Sequence, residues 1–248
     1  MIAFLDIGNS RIKYAFGNES EISNSGFVNS ISELNQLFYS NNIEKVIFSS
    51  VNPAISHKVE NFSEESGIEK VEITIKSNLG IKINYETPHT LGIDRVCGIV
   101  GAKSILENKN LSDDLIVTVD CGTATTINIL YKNNFVGGLI APGLTTMFKS
   151  LNQNTSLLPE LDNSSFSSFI GKNTKDSISA GVFSASIGYI KFSVSKIEEE
   201  FGIQPRLLFT GGNAEIILKN SKIDAMFVDD LVLRGVMDIY KRSQMEII

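Results

Sequence analysis

Two aspartates carry the first chemical signal in this chain. Each ends an apolar run and is followed two residues later by glycine. The segments are Asp6-Ile7-Gly8-Asn9-Ser10 and Asp120-Cys121-Gly122-Thr123-Ala124, with the aspartates 114 positions apart (120 − 6). A carboxylate delivered at a strand end leaves the sheet edge, and glycine lets an anion approach the backbone with no Cβ in the way. Asn9, Ser10 and Thr123 add polar groups, and Lys13 lies on the strand that follows the first turn. Phosphoryl transfer needs such parts: charge neutralisation, backbone donors, a metal ion held by a carboxylate, and a positioned acceptor. Aspartate is also common in tight turns for local reasons, so either turn alone reads equally well as structural. As a pair in equivalent frames they point to function.

A third acidic group lies between them, in Gly92-Ile93-Asp94-Arg95. A carboxylate at a helix start is favoured by the helix dipole, which makes a capped helix with a local ion pair one reading. The other is a general base for a substrate hydroxyl, with Arg95 orienting substrate or phosphate. Cys97, three residues on, shares a helical face with Asp94 and reads as a small core residue. Thr210-Gly211-Gly212-Asn213 is either a plain strand-to-helix turn or the lining of an adenosine or ribose pocket. The glycines of Gly137–Leu144 imply close backbone approach, to ligand or to a partner subunit. Thr174, after Gly171-Lys172-Asn173, either caps a helix or reaches a ligand. No GxxxxGK[ST], HRD or DFG sequence occurs, which argues against a P-loop or a protein-kinase site. His57 and His89 are far apart and suggest no metal motif.

The elements that must position these groups follow one grammar used twice. Strands are expected at Ile2–Asp6, Arg11–Phe16 and Ile22–Val28, then a helix opened by Ser30 or Ser32 and running to Ser40. Lys45–Ser49 is a buried strand, Asn52-Pro53 a helix start, and Val71–Ile75 a short strand. Leu91–Asn108 reads as a helix. Strands recur at Leu115–Asp120, Thr125–Tyr131 and Phe135–Ile140, the last two joined by a hairpin turn at Asn133-Asn134. A long helix at Thr174–Phe201, a strand at Arg206–Thr210 and helices after Gly212 and Asp229 complete the second half. Internal duplication explains this order, with the division at about residue 112: a first domain over 1–112 and a second over 113–248.

Composition bounds the functional classes. The 248 residues are 42% hydrophobic and carry 22 basic against 28 acidic side chains, a net charge of −6. That balance argues against a nucleic-acid partner but not against phosphate, which backbone N–H groups can hold whatever the net charge. No run approaches the roughly 18 to 20 apolar residues a membrane helix needs. The start lacks signal-peptide features, and two cysteines are too few for a disulfide framework. A cytoplasmic location is expected.

Taken as an ordered set, these segments resemble the type III pantothenate kinase family. The resemblance rests on D-I-G-N-S-R-I-K at 6–13, N-Y-E-T-P-H-T-L-G-I-D-R at 84–95 and D-C-G-T-A-T-T at 120–126. It continues through G-G-L-I-A-P-G-L at 137–144, G-K-N-T at 171–174 and T-G-G-N at 210–213. The DxG turns mark only the wider acetate and sugar kinase/actin superfamily; GIDR and GGLIAPGL point to this member. The resemblance implies an α/β fold of two ribonuclease-H-like (actin-like ATPase) domains, mixed sheets flanked by helices, with an ATP cleft between them, in a homodimer. It implies ATP-dependent phosphorylation of pantothenate, with Mg²⁺ and a monovalent cation, K⁺ or NH₄⁺. Carried over by position, Asp6, Ile7, Gly8, Asn9, Ser10, Arg11, Ile12 and Lys13 form the first phosphate loop, and Thr123 binds ATP. Asp120 holds the monovalent cation, and Asp94 is the base. Tyr85, Gly92, Ile93, Asp94, Arg95 and Thr174 surround pantothenate. Ser10 stands where threonine is more usual and keeps the hydroxyl. Two other readings are a non-catalytic nucleotide-binding regulator of the same fold and a sugar kinase of the superfamily.

Overall fold

The computed structural model describes residues 1–19, 21–111, 113–163, 166 and 168–245. The chain forms two compact units: Met1–Ser112 with Asn133–Val136 and Asp230–Ile248, and Asp113–Lys132 with Gly137–Asp229.

The first unit opens with β1 (Ile2–Ile7), β2 (Ile12–Gly17), β3 (Ile22–Val28), α1 (Ile31–Ser40), β4 (Lys45–Ser50), α2 (Pro53–Glu65) and β5 (Glu69–Glu72). Their sheet has the order β3-β2-β1-β4-β5. β1 is antiparallel to β2 and parallel to β4, which in turn is parallel to β5. Because strand side chains alternate, Ala3, Leu5 and Ile7 share one face of β1. There they pack with Leu34 and Phe38 of α1 and Val59 of α2. Phe4 and Asp6 lie on the other face.

Local signals set the helix starts. Ser30 accepts the Glu33 N–H (3.2 Å), while Glu33 accepts the Asn29 N–H (3.1 Å), a reciprocal arrangement that satisfies helix-end donors. Asn52 caps α2, with Pro53 in its first turn. The strand expected at Val71–Ile75 forms two residues earlier, because pairing with β4 aligns Lys45 with Glu69 and Phe48 with Glu72. The unit continues with β6 (Lys82–Ile83), a single 3₁₀ turn at Pro88–Thr90 and α3 (Ile93–Asn108).

The second unit contains β7 (Leu115–Cys121), β8 (Ala124–Tyr131), most of β9 (Asn134–Pro142), α4 (Leu144–Gln153), α5 (Thr174–Phe201), β10 (Arg206–Thr210), α6 (Ala214–Ser221) and β11 (Met226–Phe227). These strands run in the order β9-β8-β7-β10-β11, the same path through a sheet as in the first unit. β7 is antiparallel to β8 and parallel to β10, which repeats the senses of β1, β2 and β4. The duplicated grammar is therefore a duplicated topology. The β8–β9 hairpin turns at Lys132-Asn133, one residue before the expected pair, with both residues at positive φ (46° and 64°). That is the geometry of a two-residue hairpin whose twist suits the strands. Asn173 caps α5, and Gly202 ends it in the left-handed conformation.

The last helix, α7 (Leu231–Met245), packs in the first unit against α3. A Cβ on Gly101 would strike the Leu231 carbonyl oxygen, and one on Gly235 would strike the Cys97 carbonyl oxygen. The two backbones touch, and only glycine permits that approach. α7 also contacts β1 and β4.

Candidate functional site

In the first unit the Asp6 turn closes with the Gly8 N–H donating to the Arg11 carbonyl (3.2 Å). Asn9, Ser10 and Arg11 are exposed at its tip, Ile12 is buried, and Lys13 lies opposite Asp6 across the β1–β2 ladder. The Arg11 guanidinium sits 4.9 Å from the centroid of the Phe27 ring on β3. Ser49 of β4, fully buried, is the register partner of Asp6 on the parallel side.

Strand parity turns Asp6 away from α1 and α2 and toward α3. The Cys97 thiol of α3 feels the Asp6 carboxylate, which, after burial, helps to push its pKa well above the usual thiol range, with Asp94 adding to the rise and Ser49 opposing it. Cys97 is therefore a protonated core thiol flanked by two acidic groups of the site. Asp94 stands one turn before it, at the second position of α3. Gly92, the N-cap, has no side chain to offer. The Arg95 N–H donates instead to Asp94 Oδ1 (2.8 Å), which satisfies one of the orphan donors of the helix start. Burial nevertheless dominates and raises the Asp94 pKa; the Arg95 N–H and the Arg95 charge only partly offset it.

Arg95 is buried, with 7% exposure. Its guanidinium lies 5.8 Å from the centroid of the Phe135 ring. Tyr85 meets that ring edge-on, with centroids 6.1 Å apart, because the Asn84 N–H donates to the Phe135 carbonyl (2.9 Å) and β6 runs parallel to the first residues of β9. The structure thus joins Tyr85 to Gly92–Arg95 through Phe135. Sequence reasoning saw Phe135 only as a strand residue; its aromatic side chain at the start of a strand carries no distinguishing local pattern.

The second unit builds its turn differently. Only Gly122 and Thr123 separate β7 from β8, and the Gly122 N–H donates to the Ala124 carbonyl (3.0 Å). The Thr123 carbonyl accepts the Gly143 N–H (2.9 Å) and the Thr146 hydroxyl (2.6 Å) from the start of α4. A Cβ on Gly143 would overlap the Gly122 and Thr123 carbonyl oxygens, so this glycine of the GGLIAPGL segment is a close-approach position. Gly211, at φ +93°, lies over the Asp120 carboxylate and the Cys121 backbone, where any Cβ would collide. The Asn213 N–H donates to the Cys121 carbonyl (3.0 Å), and the Asn213 side chain accepts from Asn163 (2.9 Å). TGGN is thus a clamp on the second aspartate turn. Thr174 is exposed at the first position of α5, and the capping role belongs to Asn173, which accepts the Asp176 N–H (3.0 Å).

Among the described residues no group of three or more His, Cys, Asp or Glu side chains could hold a metal ion. The carboxylates near the ends of β1 and β7 fit oxygen-seeking ions that share their shell with phosphate and water. His57 and His89 are both exposed. No helix, among the described residues, is long and apolar enough to cross a membrane.

Two mixed sheets of one topology, flanked by helices and each presenting an aspartate-glycine turn, define the actin-like ATPase fold. MreB5 of Spiroplasma citri, solved bound to ADP, has a TM-score of 0.51 at 10% identity, covering 99% of this chain and 98% of that one. A conserved Campylobacter jejuni protein described as a Baf family transcriptional activator has a TM-score of 0.66 at 23% identity, covering 98% and 99%. In sequence, the family model for type III pantothenate kinase matches residues 2–196. The type III pantothenate kinase of Thermosipho melanesiensis is 34% identical over 207 residues, 83% of this chain and 81% of that one. The chain belongs to the type III pantothenate kinase family.

Proposed function

We propose that this protein transfers the γ-phosphoryl group of ATP to the 4′ hydroxyl of pantothenate, the first step of coenzyme A biosynthesis. The observation that carries the reading is Asp94. In a chain of this family, it is a desolvated carboxylate of raised pKa at the start of α3, in the same unit as the Asp6 turn. Desolvation makes a carboxylate a stronger base, which suits proton removal from an alcohol. The hydroxyl oxygen bonds to the γ-phosphorus, the bond to the β–γ bridging oxygen breaks, ADP leaves, and the hydroxyl proton passes to Asp94.

Asp6 through Lys13 hold the ATP phosphates in this reading, with the Gly8 region offering close backbone approach and Lys13 a positive charge; Thr123 also contacts ATP. Mg²⁺, when bound, neutralises charge developing on the phosphates, and Asp6 supplies its protein oxygen. Asp120 holds a monovalent cation, K⁺ or NH₄⁺. Support comes from the family model, which matches across this turn, and from the oxygen chemistry of a carboxylate that lies against the Gly122 and Gly211 backbones. Tyr85, Gly92, Ile93, Arg95 and Thr174 surround pantothenate. A cytoplasmic homodimer is part of the proposal. Ile140 (64%), Ile170 (80%) and Phe192 (66%) in the second unit are exposed apolar side chains that such an interface would cover. Neither a non-catalytic regulator nor a sugar kinase is favoured, because the matching family model and the curated relatives are type III pantothenate kinases.

A coupled assay of ADP release, run in K⁺ and then in Na⁺, tests this. The expected result is Mg²⁺-dependent turnover that requires pantothenate. ADP release driven by a hexose and not by pantothenate would overturn it. Asp94→Asn should lose roughly 10²- to 10⁴-fold in kcat, the worth of a positioned base, while retaining the fold.

A further inference from the structure

Phe135 is fully buried, and two side chains at positions assigned above to pantothenate lie against its ring. Arg95 lies over it at 5.8 Å, and Tyr85 meets it edge-on at 6.1 Å. The backbone reinforces the arrangement: Lys82 and Ile83 pair with Asn134 and Phe135, and the Asn84 N–H closes the ladder on the Phe135 carbonyl. A ring whose negative face attracts a guanidinium and which packs T-shaped against a second aromatic fixes both neighbours at once. Leucine or methionine would fill the same space without that electrostatic direction.

We infer that Phe135 is a positioning residue for the substrate pocket, acting through Arg95 on its face and through its T-shaped contact with Tyr85. The inference rests on the reading that Arg95 and Tyr85 bind pantothenate. Phe135 touches no substrate; it selects the orientation in which those two side chains wait for one. Its effect therefore falls on pantothenate and not on ATP.

The experiment compares Phe135→Leu, Phe135→Tyr, Arg95→Gln and the Phe135→Leu/Arg95→Gln double variant, with kcat, both KM values and Tm for each. Phe135→Leu is expected to raise the pantothenate KM roughly fivefold or more, the worth of a desolvated cation–π contact, with the ATP KM unchanged. Phe135→Tyr, which keeps the ring, restores the pantothenate KM. The double variant should lose less for pantothenate than the two single losses combined, since the Arg95 route is shared, and what it loses beyond Arg95→Gln is the part carried by Tyr85. A lowered Tm with the pantothenate KM unchanged would make Phe135 merely structural and overturn the inference, as would additive losses in the double variant. If Phe135→Leu does not fold, Phe135→Met gives the same comparison with unbranched bulk. Should Arg95→Gln leave the pantothenate KM untouched, the underlying assignment fails, a result separable from failure of Phe135 alone.

Discussion

The Asp6 turn spans four residues between its strands, Gly8 to Arg11, and exposes Asn9, Ser10 and Arg11 at its tip. The Asp120 turn spans two, and it is gripped from outside by Gly143, Thr146, Gly211 and Asn213. Topology is shared; construction is not. A long exposed loop can adjust to a phosphate chain that arrives and leaves. A short clamped one keeps a carboxylate and its neighbouring carbonyls in fixed places, as an ion site requires. Duplication supplied two similar frames, and the packing around each frame made two different turns of them; the roles proposed for them follow that difference.

The largest expected effect that breaks this contrast comes from Asp6→Asn. Neutralising the carboxylate of the adjustable loop should cost roughly 10²- to 10³-fold in kcat, as for one aimed electrostatic partner. A variant within a factor of two of the parent in saturating Mg²⁺ would remove Asp6 from the metal-binding role. Asp120→Asn should act through the cation instead. Turnover in K⁺ is expected to fall to the level measured in Na⁺, with pantothenate binding kept. Persistent K⁺ activation in that variant would place the cation elsewhere.

Asp94 sharpens the comparison inside the first unit, through pH. Its folded-state pKa is raised, chiefly by burial, so the folded chain favours the protonated form. The group stabilises the fold below its unfolded pKa of about 4, and that contribution is lost as pH rises through the folded value. At neutral pH the ionised carboxylate is thus a cost that Asp94→Asn removes. The variant should match or exceed the parent in Tm at pH 7, with the gap closing as pH falls toward 4. The acid limb of kcat/KM in the parent should lie above the ordinary aspartate range. A Tm markedly lower for Asp94→Asn at pH 7 would contradict both. The smallest effect expected is from Phe27→Ala, which frees Arg11 at the tip of the adjustable loop. An exposed cation–π contact supports roughly a two- to fivefold change in the ATP KM; since Phe27 is 55% exposed, Tm should hold.

Much of the scaffold was legible in local pattern. The long helix at Thr174–Phe201, the strands at Ile22–Val28 and Arg206–Thr210 and the caps at Ser30 and Asn52 follow from periodicity and side-chain donors within a few residues. So did the aspartates at two strand ends and Asp94 at a helix start, since each needs only its neighbours to be noticed. What chain-local reasoning misplaced was set by partners: β5 slid two residues to meet β4, and the hairpin turned at Lys132-Asn133 to match strand twist.

The sequence by itself determined the class of element at each position, the repeated strand order and the three acidic groups, because those depend on spacing over a few residues. Only the tertiary structure decided that α7 joins the first unit through Gly101 and Gly235, and that Gly211 closes over Asp120. It alone placed Phe135 against Arg95, forty positions earlier, and turned Asp6 toward α3. Those outcomes depend on which distant backbones can touch without a Cβ between them, and no local spacing encodes that.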